Sequence, residues 1–291
     1  MGTAAVAVKH LTDAAVRPTI AARFFRPKQE TRRMAGTVTV ERDGVVATVL
    51  LSNPGKLNAF DKPQWLALRD AMTDLSADGS VRVIVLRGEG RAFSPGADIS
   101  EFESERGSPE QAMAYGELMD AVMFQIRDCP TPTLAAIDGP CTGIGLAVAL
   151  ACDLRVCTES SRFGVPVSRL GISMALPELK LLFDVVGRPF AMEILLEGRV
   201  FGADLAREMR LVNRVVADGG LDAEVTATAK RIADGAPLAA RWHKAFVGRA
   251  ADPAPLTDAE LAECYRCFGT EDYREGYRAF LEKRKPVFGG R

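Results

Sequence analysis

Two stretches of this chain, Phe93-Ser94-Pro95-Gly96-Ala97-Asp98 and Gly139-Pro140-Cys141-Thr142-Gly143-Ile144-Gly145, constrain its fold more than any other feature. Each follows a short, branched, apolar segment, Val81–Leu86 and Thr133–Ile137. Such segments read as strands buried on both faces, the pattern of a parallel sheet covered by helices. Glycine permits the sharp turn after each strand and leaves backbone N–H groups uncovered at the start of the next helix. Taken alone, these are ordinary strand-to-helix connections. If the two sets of N–H groups aim at one point, they form an oxyanion hole that polarises a carbonyl and holds the negative charge developing on its oxygen.

Other segments extend the α/β reading. Val38–Arg42 and Val45–Leu51, joined at Asp43-Gly44, read as an opening hairpin. Pro63–Leu75 reads as an amphipathic helix, and strand, glycine turn and helix then repeat over 81–128 and 131–151. Leu154–Cys157 and Arg162–Gly164 suggest short strands, and Pro177–Val186 and Pro189–Leu196 read as helices with proline in the first turn. Helix dominates from Ala236, over Leu238–Arg249, Asp258–Phe268 and Asp272–Lys285, with no linker to mark an independent domain. The expected division is therefore a leader at 1–33, a core at 34–235 and a helical region at 236–291 that packs on the core or on a neighbouring subunit.

Charge narrows the partners. A formal net charge of -1 and the lack of a clustered basic face point away from nucleic acid. No apolar run approaches the roughly 20 residues that cross a bilayer, so no membrane partner is expected either. Residues 1–33 hold seven Lys or Arg against Asp13 and Glu30. This basic, acid-poor composition is similar to that of a mitochondrial transit segment. Met34 offers a second start, however, and a cytoplasmic protein with a dispensable leader is the favoured expectation. Cysteines 129, 141, 152 and 157 lie in or beside apolar segments, where a thiol behaves as a small hydrophobe and suits a reducing compartment. Cys264-Tyr265-Arg266-Cys267 has metal-ligand spacing, but no second pair accompanies it and only His10 and His243 could assist, so no zinc site is expected. His243 has no serine or cysteine elbow to serve, which argues against a nucleophilic triad.

The order and flanks of the motifs resemble the crotonase, or enoyl-CoA hydratase/isomerase, superfamily. The resemblance runs through Asn53–Ala59, Ala92–Ile99, Ala136–Gly139, Ala151–Arg155, Phe163-Gly164-Val165-Pro166, Leu170-Gly171, Leu211–Val216, Glu271–Gly276 and Phe280–Arg284. It implies a spiral of ββα units with a C-terminal helical region that builds trimers, often paired into hexamers. It also implies an acyl- or enoyl-CoA ligand, with CoA entering as part of the substrate and no other cofactor. By this resemblance, the N–H groups of Ala97 and Ile144 grip the thioester carbonyl. Lys56, Leu57 and Ala59 hold the CoA pantetheine and phosphates; Ala97, Asp98 and Ile99 lie along adenine and pantetheine; Phe280 and Lys283 belong to the nucleotide pocket.

One departure matters. Hydratases of the superfamily carry two glutamates, in the helix after the second turn and directly after the proline of Phe-Gly-x-Pro. Ala147 and Val167 stand at those positions, and neither side chain transfers a proton. Glu178, among Met174, Leu176 and Leu179, is the candidate replacement base, although glutamate behind a proline is also what a helix start favours. Arg169 is a weaker candidate, and Glu101, Glu103 and Glu105 are expected in a mobile, solvated flap. Hydratase- or isomerase-like chemistry is thus the leading expectation. A non-catalytic acyl-CoA binder and another thioester reaction, such as decarboxylation, are the alternatives.

Overall fold

The computed structural model of the chain describes residues 35–291; the basic leader with His10, and Met34, lie outside the described residues. Strands β1 (Thr37–Asp43) and β2 (Val46–Ser52) form the expected hairpin, with Gly44 supplying a left-handed turn at φ +57°. Helix α1 (Lys62–Ala77) starts at Asp61, whose carboxylate accepts from the N–H of Gln64 at 2.9 Å and of Gly36 at 2.7 Å. Next come β3 (Val83–Gly88), the short α2 (Phe102–Glu105), α3 (Pro109–Asp128) and β4 (Thr133–Ile137). The second motif holds a strand that its turn-like sequence conceals: β5 (Pro140–Thr142) comes between β4 and α4 (Ile144–Ala151). Strands β6 (Leu154–Thr158) and β7 (Arg162–Gly164) follow, then α5 (Leu176–Glu197), β8 (Phe201–Gly202), α6 (Ala203–Glu208) and β9 (Arg214–Val216). Helices α7 (Leu221–Ala233), α8 (Pro237–Ala250), α9 (Asp258–Glu263) and α10 (Glu271–Leu281) complete the chain.

Six strands make the main sheet in the order β1-β2-β3-β4-β6-β9, parallel except for the β1–β2 hairpin. Alternation along β3 shows why its strands read as continuous apolar runs. Ile84 and Leu86 face the large core under α1, α3, α4 and α5, while Val83 and Val85 face a second core closed by Leu221, Val225 and Ala229 of α7. A smaller sheet, β5-β7-β8, lies beside the first, and bridges at Ser94–Cys141 and Phe60–Ala97 extend it toward both glycine turns. Strands β2, β3, β4 and β6 thus each feed a second extended segment before the next helix, which is the expected ββα repeat.

Several boundaries differ from the sequence reading. Strand β3 starts at Val83 rather than Val81, although the Arg82 N–H bonds Val45 O at 2.8 Å in line with the Val46–Val83 pairing. The two expected helices over 177–196 are joined within α5 at Gly187, where φ +70° and ψ 174° break the helix ahead of Pro189. At the C-terminus α10 ends at Leu281 rather than Lys285, since Lys283 takes φ +54°. The helices from 236 on belong to the same unit as the core, and Lys244 of α8 pairs with Asp153 at 2.8 Å beside the start of β6. Among the described residues, no helix is long and apolar enough to cross a membrane, and no group of three or more His, Cys, Asp or Glu is placed to hold a metal ion. Cys129, Cys141, Cys152 and Cys157 are buried free thiols, whereas Cys264 is exposed.

Candidate active site

The two glycine turns are stitched to one another. Ser94 N–H donates to Pro140 O at 2.9 Å, Thr142 N–H to Ser94 O at 3.0 Å, and the Thr142 hydroxyl to Pro95 O at 2.8 Å. Only glycine fits where they meet. A methyl group on Gly145 would lie 2.5 Å from Ser94 O, and one on Gly96 would lie 3.3 Å from Thr142 O and 3.7 Å from Ile144 N. Gly96 and Gly143 also take φ of +122° and +54°.

This stitching aims two N–H groups. Gly96 O accepts from Phe60 N and Asp98 N–H donates to Phe60 O, at 2.8 and 2.7 Å. With its flanking groups turned to Phe60, Ala97 presents its own N–H to the other side. Ile144 is the first residue of α4, whose N-cap Gly143 has no side chain to satisfy the helix's opening donors. Among the described residues, neither N–H meets a backbone or side-chain acceptor. Gly96, Ala97, Gly143 and Ile144 all line one cavity of about 440 Å³, within the range of small-molecule sites.

The remaining wall is largely apolar: Ile99, Phe102, Met119, Val165, Val167 and Leu170 contribute. Into it comes Glu178, third residue of α5, where proline at 177 and the missing side-chain cap leave the helix start open to the carboxylate. Burial, then the carboxylate of Asp120, push Glu178 up to about 7, against the opposing pull of Arg106. Burial also raises Asp120 from its ordinary value, and its Oδ1 is enclosed without a hydrogen-bond partner among the described residues. Val167 lines the cavity, while Ala147 is fully buried in α4.

The other sequence-derived candidates are placed less uniformly. Ile99 lines the cavity. Lys56 Nζ pairs with Asp98 Oδ2 and lies 3.2 Å from Ser100 Oγ. Burial of Asp98 alone would raise its pKa, but hydrogen bonds from Lys56 and Ser100 outweigh it and hold the carboxyl below its ordinary value. Its side chain therefore caps the turn at Ile99–Glu101. Leu57 is exposed at φ +52°, and Ala59 is buried, its carbonyl held by Asn53 Nδ2 at 2.7 Å. Phe280 and Lys283 are exposed on or just after α10 and do not reach the cavity. Arg169 is exposed in the short helix Pro166–Leu170 and does not line the cavity either.

The acidic stretch is not an untethered flap. Glu101 accepts from Lys62 N–H at 2.9 Å and from the Tyr115 hydroxyl at 3.4 Å, and Glu105 pairs with Lys62 Nζ at 2.8 Å. Sequence reasoning missed Asp120 and Arg106. Gly116 and Asp120, one helical turn apart on α3, were the available signal for the first; nothing in the sequence singled out the second.

Known proteins match nearly the whole described chain. The family model "Enoyl-CoA hydratase/isomerase" matches residues 41–291. A crystal structure from Magnetospirillum magneticum, of an enoyl-CoA hydratase/carnithine racemase, is 52% identical, with a TM-score of 0.87 over 88% of this chain and 96% of that one. An enoyl-CoA hydratase from Mycobacterium smegmatis is 33% identical, with a TM-score of 0.80 over 86% and 98%. Crotonyl-CoA hydratase of Syntrophomonas wolfei is 33% identical over 86% of this chain and 97% of its own length. With its order of ββα units, its paired glycine turns and a match from residue 41 to the last, the chain belongs to the enoyl-CoA hydratase/isomerase, or crotonase, family.

Proposed function

We propose that this chain binds a 2- or 3-enoyl-CoA thioester, holds its carbonyl on the N–H groups of Ala97 and Ile144, and moves a proton with Glu178. The observation that carries this reading is the pair of uncommitted N–H groups at the same cavity as one half-buried carboxylate. Ionised Glu178 removes a proton from C2 of a 3-enoyl thioester. The charge passes to the carbonyl oxygen as an enolate, where the two N–H groups stabilise it. Protonated Glu178 then returns the proton at C4, leaving the 2-enoyl isomer and regenerating the carboxylate. A group titrating at about 7 supplies both forms near neutral pH, as a one-base transfer requires. By the family resemblance, Ala147 and Val167 occupy the positions of the usual water-activating glutamates, so isomerisation is favoured over hydration. In this reading Lys56, Leu57, Ala59, Asp98 and Ile99 flank the CoA arm, and Phe280 and Lys283 reach a nucleotide only across a subunit boundary, in a homotrimer or hexamer.

Mass spectrometry of 2- and 3-enoyl-CoA after incubation in heavy water tests the proposal. Deuterium uptake and double-bond migration should occur with the parent and fall by about 100- to 10,000-fold in Glu178→Gln. Addition of a whole water would instead establish hydration. Tight binding with unchanged thioester would establish a binder.

A further inference from the structure

Resting on the thioester reading, we propose that the acyl group this site selects carries a carboxylate at the end away from the thioester, and that Arg106 recognises it. Arg106 follows α2 and lines the cavity. Its guanidinium carbon lies 4.8 Å from the ring centre of Phe102 and 4.6 Å from that of Tyr115, and Nη2 donates to Met119 Sδ at 3.2 Å. Two aromatic faces hold the planar fork in place. A guanidinium carries five N–H donors, and the acceptor recorded here is a weak one, a thioether. Among the described residues, Arg106 makes no ion pair within 4.0 Å. The carboxylates nearest in sequence are engaged elsewhere, Glu101 by Lys62 N–H and Tyr115 and Glu105 by Lys62 Nζ.

An unpaired cation in an apolar wall is costly unless an anion joins it. Glu178 is the acid on which the Arg106 charge acts, and it forms no ion pair with the guanidinium. With that carboxylate beyond ion-pair distance, the guanidinium's donors remain open to an acceptor carried by a ligand in the cavity. The rigid fork matches a carboxylate through two parallel hydrogen bonds. Because Arg106 and the two free N–H groups line one cavity of about 440 Å³, a single short chain can engage both. Neighbouring Ile99, Val165 and Leu170 would pack its methylenes.

Calorimetric titration with two unreactive saturated thioesters tests this without turnover. Glutaryl-CoA carries the distal carboxylate; pentanoyl-CoA is its neutral counterpart. The parent should bind glutaryl-CoA roughly 10- to 100-fold more tightly than pentanoyl-CoA. That ratio should fall toward one in Arg106→Met and be partly restored in Arg106→Lys, which keeps the charge but loses the fork. Equal affinities in the parent, or a preference that survives in Arg106→Met, would overturn the proposal while leaving the thioester reading intact. Failure of the parent to bind either thioester would overturn that reading, and the proposal with it.

Discussion

At one end of the cavity the groups available to a ligand are the N–H bonds of Ala97 and Ile144, aimed by hydrogen bonds between two glycine turns. Elsewhere in its wall they are the side chains of Glu178 and Arg106, delivered by α5 and by the end of α2, with Asp120 of α3 acting on Glu178 through its charge. The first end works by position and tolerates alanine and isoleucine, because no side chain takes part. It is intolerant only of what would push the turns apart. In the proposed reaction the second works by chemical identity and environment, so that exchanging one oxygen of Glu178 for an amide nitrogen would remove its function. A site of this kind can change its reaction by exchanging wall residues and keep its hold on a carbonyl throughout.

Gly145→Ala is the sharpest way to break the first end. Alanine suits a helix better than glycine, yet its methyl would lie 2.5 Å from Ser94 O and 2.7 Å from Ser94 Cβ. Separating the turns should cost about 100- to 1000-fold in turnover, as loss of an oxyanion donor does, while circular dichroism reports a folded protein. Undiminished turnover would mean that the turns are not the carbonyl's seat.

The wall predicts a trade of stability for function. Glu178 rises from 4.5 to about 7 on folding, so the native state binds its proton more tightly than the unfolded chain. The stability this contributes is complete below about 4.5 and is lost as pH rises through about 7. Glu178→Gln cannot ionise and escapes the loss. By denaturant titration it should exceed the parent by up to about 3 kcal/mol at pH 9 and show no such gain at pH 4.

Asp120→Asn separates the two carboxylates. Removing the like charge should lower the pKa of Glu178, since Asp120 ranks behind burial among the causes that raise it. For a catalytic base, the rise of kcat/KM with pH should then move to lower pH. An unmoved profile would leave burial as the whole cause.

The smallest effect belongs outside the cavity. Phe280 is 82% exposed, and Phe280→Ser should change the stability of a single chain by less than about 0.5 kcal/mol. A larger, concentration-dependent loss of melting temperature would mean that a neighbouring copy covers α10.

The same division decided what could be read from the sequence. The strands at 133–137 and 154–157, the opening hairpin and the two glycine turns were legible because steric rules and alternation act within a few residues. Strand β5 was not, since Pro140-Cys141-Thr142 becomes extended only through pairing with Ser94 and with β7. Glu178 was legible as a candidate, whereas its burial depends on α3 and on the end of α2, more than 50 residues earlier in the chain. Arg106 carries no local sign at all, and Asp120 only its spacing from Gly116 on α3. An aspartate on a helix and an arginine after an acidic run are the commonest of surface residues until a fold encloses them.

The buried thiols equip the protein with its own clock. Burial pushes Cys152 and Cys157 up to about 12 and Cys141 well above an ordinary thiol. Since the thiolate is the reactive form, an alkylating reagent should modify exposed Cys264 first and the four buried thiols only during transient opening. Cys141 lies in β5, three residues before Ile144, so its alkylation rate times how often the second turn comes away from the first.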